Sequence, residues 1–296
     1  MGIALKNQME INNLQTFVTI AESGSFSLAS EQLFLTQPAI SKRIAALEAE
    51  LGTALFDRIG RKVHLTEAGQ ALLPRARSIL LEVEDSRRAI SNLSGHVGGK
   101  LSIGTSHHIG LHRLPPVLRQ FSRDYPAVEL DIQFLDSEEV CQAVEHGDLE
   151  MGIVTLPLLP IPKLATKIVW PDPLTIVVNR EHPLLQLEAI TIADLAKHAA
   201  VLPAHGTYTR EVIEHAFTPL GLVLKVTMST NYLETIKMMV QVGLGWSVLP
   251  KAMLNKEMVA ITLAGIHLHR DLGLVWHSVR TLSNAAKAMM ALLRQY

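Results

Sequence analysis

Residues 35–52, LTQPAISKRIAALEAELG, set a threonine, a glutamine and a proline in front of a regular helical repeat. Ile40, Ile44, Leu47 and Leu51 recur at spacings of four, three and four, which on a helix occupy a sector about 60° wide. Thr36 or Gln37 is the predicted N-cap. Pro38 fits the first turn, where backbone N–H groups have no intrahelical partners. The other side carries Gln37, Ser41, Lys42, Ala45 and Ala49. A solvated face ordinarily carries long charged side chains. This one is short near its start, as suits close approach to another surface.

Upstream, Leu14, Phe17, Val18 and Ala21 share one helical face. Gly24 ends that helix, Ser25 caps the next, and Phe26, Ala29 and Leu33 give the second helix its apolar side, with Leu35 filling the turn. Two short helices, a tight turn and a third helix with a free polar N-terminal face make a helix-turn-helix, so double-stranded DNA is the predicted partner. The major groove admits a helix whose first turns reach the base edges. Gln37 suits adenine, Ser41 either base type, and Lys42 guanine or a phosphate, while Ala45 allows depth. Ser25 and Thr36, at helix N-termini, suit phosphates. Next, residues 54–69, ALFDRIGRKVHLTEAG, read as strand, turn at 59–61 and strand, with Leu55, Phe56, Val63 and Leu65 inward. Arg58, Arg61 and Lys62 cluster at the tip of this wing and give the stretch a positive excess, suited to the minor groove or to phosphate.

With 296 residues the chain exceeds what one core needs. Hydrophobic content of 48% and charged content of 19% predict a globular chain, and a net charge of −1 excludes a uniformly basic binder. One cysteine, Cys141, rules out an internal disulfide. The start lacks the apolar core of a cleavable leader, and no apolar run is long enough to span a membrane, so a cytoplasmic protein with no membrane partner is expected.

Thr66 is the predicted cap of a long helix over 67–94. Leu72, Ala76, Ile79, Val83, Ser86, Ile90 and Leu93 keep 4-3 spacing along it and ask for a partner helix, and Pro74 lies inside it. Ser94, Gly95, Gly98 and Gly99 then suit a hinge. Beyond, strand and helix patterns alternate to the end: an α/β domain of two lobes.

Residues 11–76 closely resemble the LysR-type transcriptional regulators of bacteria. The run Gly24-Ser25-Phe26, the block Gln37-Pro38-Ala39-Ile40-Ser41, Leu47-Glu48, Leu51-Gly52, Leu55-Phe56, Arg58 and Leu65-Thr66-Glu67-Ala68-Gly69 carry the resemblance. Many members have Arg where this chain has Lys42, and the family's usual start falls at Met9. The resemblance implies a winged helix-turn-helix DNA-binding domain over 9–66, a linker and dimerisation helix over 67–94, and an effector-binding domain over 98–296 of periplasmic-binding-protein type. Lobe one would be 98–170 with 272–296, and lobe two 171–271. The family's reading positions fall on Gln37, Pro38, Ser41 and Lys42, with Arg58 or the wing tip nearby. A homodimer or homotetramer contacting RNA polymerase is implied, with a small-molecule effector between the lobes.

In such domains ligands sit where strand ends meet helix N-termini. Three segments match: Thr105, Ser106, His107 and His108 after the first strand; Thr155 at a strand end; and His205, Gly206 and Thr207 opening a helix. Hydroxyls with free N–H groups suit a small anion. His107 and His108, with His112 beyond, invite a metal, but adjacent histidines diverge and neither a cysteine partner nor an H-x-x-x-H helix pair is read, so no metal or other cofactor is expected. Cys141 reads as a packed side chain, and Met238–Met239 and Met289–Met290 as core filling. No G-x-S-x-G, Walker loop, dinucleotide fingerprint or zinc motif occurs, so no enzymatic activity is expected.

Overall fold

The computed structural model describes residues 9–59, 62–217, 221 and 224–296, so Gly60 and Arg61 of the basic turn and the residues before Met9 lie outside the described residues. The chain divides into two compact units, one ending at Ile90 and the other running from Ser91 to Tyr296. No described helix is long and apolar enough to cross a membrane.

The first unit opens with α1 (Ile11–Ser23), α2 (Phe26–Gln32) and α3 (Gln37–Leu51). Gly24 ends α1 at φ 63°, a left-handed conformation that glycine adopts without a Cβ penalty. Ser25 Oγ accepts the Leu28 N–H at 3.3 Å and starts α2. Ile40, Ile44 and Leu47 are buried with Leu14, Phe17, Ile20 and Ala29 in one core. Leu51, the last residue of the predicted stripe, is 36% exposed because α3 ends there at Gly52.

β1 (Phe56–Ile59) and β2 (Lys62–Leu65) pair antiparallel, with Arg58 opposite Val63. The Phe56 ring lies 5.3 Å from Phe17 and 5.8 Å from Phe26, and Glu48 Oε1 accepts the Leu55 N–H at 2.8 Å. The wing is thereby fastened at its base to the helices. In α4 (Glu67–Asn92), which contains Pro74, Thr66 Oγ1 accepts the Gly69 N–H at 3.0 Å. Ala76 is buried in the helix-turn-helix core and Leu72 packs on it; further along the same seam Ile90 and Leu93 are 71% and 86% exposed.

The second unit begins with β3 (Gly99–Thr105), α5 (His107–His112), α6 (Leu114–Asp124), β4 (Val128–Phe134), α7 (Ser137–His146) and β5 (Met151–Thr155). β3 runs parallel to both β4 and β5. After β6 (Leu164–Asn179) come α8 (Ile192–Lys197), β7 (Ala200–Leu202), α9 (Tyr208–Phe217), β8 (Val226–Ser229), α10 (Leu233–Gln241), β9 (Ser247–Pro250) and β10 (Met258–Ile261). β11 (His269–His277) and α11 (Asn284–Leu293) close the chain.

β6 and β11 tie two lobes together. The first half of β6 pairs with β11, which pairs with β5; the second half of β6 pairs with β9 and β10. One apolar core gathers Leu101, Ile103, Phe121, Ile153, Trp170, Leu272 and Met289; the other gathers Leu174, Ile176, Phe217, Trp246, Val248 and Leu268. β6 therefore feeds the first core before residue 171 and the second after residue 173.

β6 runs through both Pro171 and Pro173, which lack ladder donors. They stand two residues apart and so turn the same way, where β9 joins that edge of β6 only from Leu174. Met289 and Met290 are buried as expected, but Met238 is 47% exposed. Gly152 sits where a Cβ would meet Val140 Cγ1 at 2.4 Å and Val275 Cγ1 at 2.6 Å. Gly152→Ala is expected to lower the unfolding free energy by about 1–3 kcal/mol through overpacking, read from denaturant midpoints.

Candidate functional site

Two sites follow from this fold, one in each unit. On α3, Gln37, Pro38, Lys42, Ala45 and Ala49 are exposed and Ser41 half-buried, opposite the buried stripe. Thr36 is the N-cap with its hydroxyl free of a capping bond, whereas Ser25 Oγ already accepts from α2. Arg43 turns back, its Nη1 donating to Thr16 Oγ1 at 3.3 Å, so the neighbouring cations Lys42 and Arg43 serve opposite faces. Arg58 and Lys62 occupy the two strands next to the tip, and Arg61 lies outside the described residues. Phe34 escaped the sequence reading. In the turn before α3 it is 95% exposed at φ 53°, an uncommon conformation for a bulky residue, and a lone apolar side chain gives no sequence signal of exposure.

In the second unit a cavity of about 40 Å³, room for a few non-hydrogen atoms, lies between the lobes. Of the residues expected there, Ser106, His107, His108, Thr155 and Thr207 line it. Thr105, His205 and Gly206 do not. The Thr105 hydroxyl is buried and donates to the Ile153 carbonyl at 2.8 Å, holding β3 to β5. His205 is turned out to solvent, with Nδ1 3.2 Å from Glu214 Oε1, and Gly206 takes a left-handed φ of 82° in the turn.

Several lining residues were missed. Asp136, Ser137 and Glu138 open α7; Asn231 precedes α10; Arg270 lies on β11. They also clasp the lobes together. Asn231 Nδ2 donates to Asp136 Oδ2 at 2.5 Å, and the Tyr208 N–H donates to Glu138 Oε1. Within the first lobe, Ser137 Oγ accepts the Thr155 N–H at 3.1 Å. Burial raises the Glu138 carboxyl above its ordinary range, and the Tyr208 N–H opposes that shift.

The electrostatic centre is Arg270. Its Nε donates to Asp172 Oδ2 at 2.9 Å and its Nη1 to Thr209 Oγ1 at 2.7 Å, while Nη2 is buried with no partner among the described residues. Asp172, itself buried, also accepts from Arg113 Nη2 at 3.5 Å. Burial works against the guanidinium charge and Asp172 supports it. The clue in the sequence was a lone Asp between two prolines in one strand and an Arg opening another apolar strand.

His108 Nδ1 is likewise buried with no partner among the described residues. Burial, then the Arg270 charge, pushes the His108 pKa down to about 3, so the ring is neutral at pH 7. The unfolded chain takes up this proton near pH 6.5, whereas the folded chain refuses it until about pH 3. Stability is therefore lost as pH falls through that window, by up to about 1.4 kcal/mol per unit. His108→Asn should flatten that limb of a pH–stability curve measured by denaturant unfolding. Burial also pushes the Cys141 thiol up to about 11, the state of a packed thiol and not of a reactive thiolate. His108 and His112 stand four apart on α5, so the H-x-x-x-H helix pair that the sequence reading ruled out is in fact present. With Glu234 of α10 they bring three ligand-type atoms within 4.8 Å of one another.

The comparisons agree with this two-part layout. Residues 11–70 match the model of the bacterial regulatory helix-turn-helix protein, lysR family, and residues 94–296 match the LysR substrate binding domain. A probable RuBisCO transcriptional regulator from Cyanidioschyzon merolae is 32% identical over 93% of this chain and 94% of its own length. A full-length OxyR variant from Pseudomonas aeruginosa superposes with a TM-score of 0.70 at 23% identity, covering 97% of this chain and 98% of that one. CbnR in complex with its target DNA superposes with a TM-score of 0.62 at 22% identity, covering 97% and 99%.

Proposed function

The chain belongs to the LysR family of transcriptional regulators, and on that premise we propose that it reads operator DNA through α3 and responds to a small anion bound around Arg270. The observation that carries the second half is the Arg270 Nη2: a buried cationic donor with no partner among the described residues, on the wall of a cavity between two lobes. Burying an unsatisfied donor is costly, and an anion would satisfy it. Ser106, Thr155 and Thr207 supply hydroxyls on the same wall, and neutral His108 supplies either a donor or an acceptor. Thr105, His205 and Gly206 take no part in this version of the site.

For DNA, Gln37, Pro38, Ser41 and Lys42 form the reading face, while Ser25, Thr36, Arg58, Arg61 and Lys62 hold phosphates. The exposed, short-chained face of α3 supports this. The apolar seam of α4, exposed at Ile79 and Ile90, supports pairing with the same helix of a second copy. The protein then works as a homodimer or homotetramer in the cytoplasm, where it meets promoter DNA and RNA polymerase, and it carries no enzymatic activity of its own. The effector-binding domain is residues 98–296 and the linker helix 67–94.

Thermal unfolding of the full chain against small carboxylates and inorganic oxyanions tests the effector. An anion at 100 times its dissociation constant adds roughly 2.7 kcal/mol. For a domain of this size the midpoint should rise by about 5–10 °C. Arg270→Lys keeps a charge beside Asp172 but removes the free donor, and should abolish the rise. A full rise in that variant would refute Arg270 as the anchor.

A further inference from the structure

We propose that His108, His112 and Glu234 form a binding site for a divalent transition-metal ion that bridges the two lobes. The sites proposed above do not require it, and it stands whatever the effector turns out to be.

The residue types fit. Two imidazoles and one carboxylate, with a fourth position left open, are a donor set of zinc and neighbouring metals. His108 and His112 lie four residues apart on α5, so they project from one side of the helix; their ring centroids are 4.9 Å apart. Glu234 comes from the first turn of α10 on the other lobe. The candidate ligand atoms already lie within 4.8 Å of one another. His112 Nε2 and Glu234 Oε1 are in contact at 2.5 Å. Two ligands of a tetrahedral ion stand about 3.4 Å apart, given metal–ligand bonds of about 2.1 Å. Metal insertion thus requires this pair to part by a little under 1 Å, which two half-exposed side chains on the surface allow.

One further observation points to a ligand. His108 Nδ1 is buried with no partner among the described residues. The nearby charges are Arg113, Arg270 and Asp172. Asp172 pairs with both arginines, and Glu234 brings a negative charge into the ligand set itself. The remaining excess of positive charge favours an anion or hydroxide in the open fourth position.

Titration of the metal-free full chain with Co²⁺ alone, followed by Zn²⁺, tests the proposal. One equivalent of Co²⁺ should bind and develop the visible absorption of a low-coordinate site, and Zn²⁺ should displace it. Zn²⁺ should also raise the unfolding midpoint. His112→Ala and Glu234→Gln, both at exposed positions, should each weaken binding by at least about 10–100-fold, the range seen when even an outer partner of a ligand is lost. Circular dichroism and DNA affinity without metal should match the parent.

Absence of Co²⁺ absorption up to millimolar concentration overturns the site. So does unchanged affinity when His112→Ala and Glu234→Gln are combined, since the chain has 13 histidines that could bind metal loosely. Full affinity in Glu234→Gln alone overturns the bridge between lobes. Anion-induced stabilisation read on the metal-free chain reports on the Arg270 reading separately, so either idea can fail without the other.

Discussion

Changing Gln37 and Ser41 together to alanine is expected to abolish discrimination between the operator and random DNA while leaving salt-sensitive binding in place. Both side chains project from the first turns of α3, away from the stripe of Ile40, Ile44 and Leu47. Removing them leaves the core intact, and the unfolding midpoint should stay within about 1–2 °C of the parent because such surface changes are usually small. A good base contact is worth about 1–3 kcal/mol of discrimination. Two of them amount to roughly 30-fold up to more than 10⁴-fold in specific affinity, enough to bring it close to the non-specific level. The phosphate contacts proposed for Ser25, Thr36 and the wing are untouched by these changes, so the log–log salt slope should be preserved. Fluorescence anisotropy against selected operator and scrambled duplexes at several salt concentrations would read both quantities. If the ratio of operator to scrambled affinity is unchanged, the reading residues lie elsewhere, with Phe34 and the wing tip next in line.

The second large effect concerns Asp172. This carboxylate is buried and sits between Arg270 at 2.9 Å and Arg113 at 3.5 Å. Asp172→Ala leaves the buried guanidinium of Arg270 without its counter-charge, and breaking a buried pair in this way costs about 3–5 kcal/mol. For a domain near 200 residues each kcal/mol moves the midpoint by about 2–4 °C, so the fall should be about 6–20 °C. Replacing both partners, Asp172→Leu with Arg270→Met, should recover most of that stability, because the cost arises from the orphaned charge and not from loss of attraction. The recovered double variant should still lack the stabilisation by anions. Calorimetry of the two variants separates these readings; a loss below about 1 kcal/mol in the single variant would mean that water reaches Arg270.

Legibility in the sequence follows the range of the interactions. The helix-turn-helix was readable because each of its signals is local: a stripe at helical spacing, Gly24 in a left-handed turn, Thr66 capping α4. The wing was readable for the same reason. The cavity was half readable. Ser106, His108, Thr155 and Thr207 sit at strand-to-helix junctions, which a pattern can find. Arg270, Asp172 and Asn231 come from segments far apart in the chain, and only the pairing of β6 with β11 sets Arg270 opposite Asp172. Thr105 was assigned to the ligand because a hydroxyl at a strand end looks available, but tertiary packing gave it the Ile153 carbonyl instead. No local signal shows that β6 continues through Pro171 and Pro173, because whether an edge needs its donors is decided by which strands arrive beside it.

That same pair of strands has a mechanical consequence. β6 and β11 pass between the lobes hydrogen-bonded to each other, from Pro173 opposite His269 to Leu164 opposite His277, with one irregularity at Leu272/Gly273. A hinge made of loops swings by turning a few free dihedrals. A twin-stranded strap behaves like a leaf spring instead: it flexes over its length, and its restoring force rises with the deflection. Any motion of one lobe against the other would have to bend this paired ladder and not only turn free loop dihedrals. Substitutions that loosen the strap, at Gly273 or opposite it at Ile168, would change the gain of the response without touching the ligand.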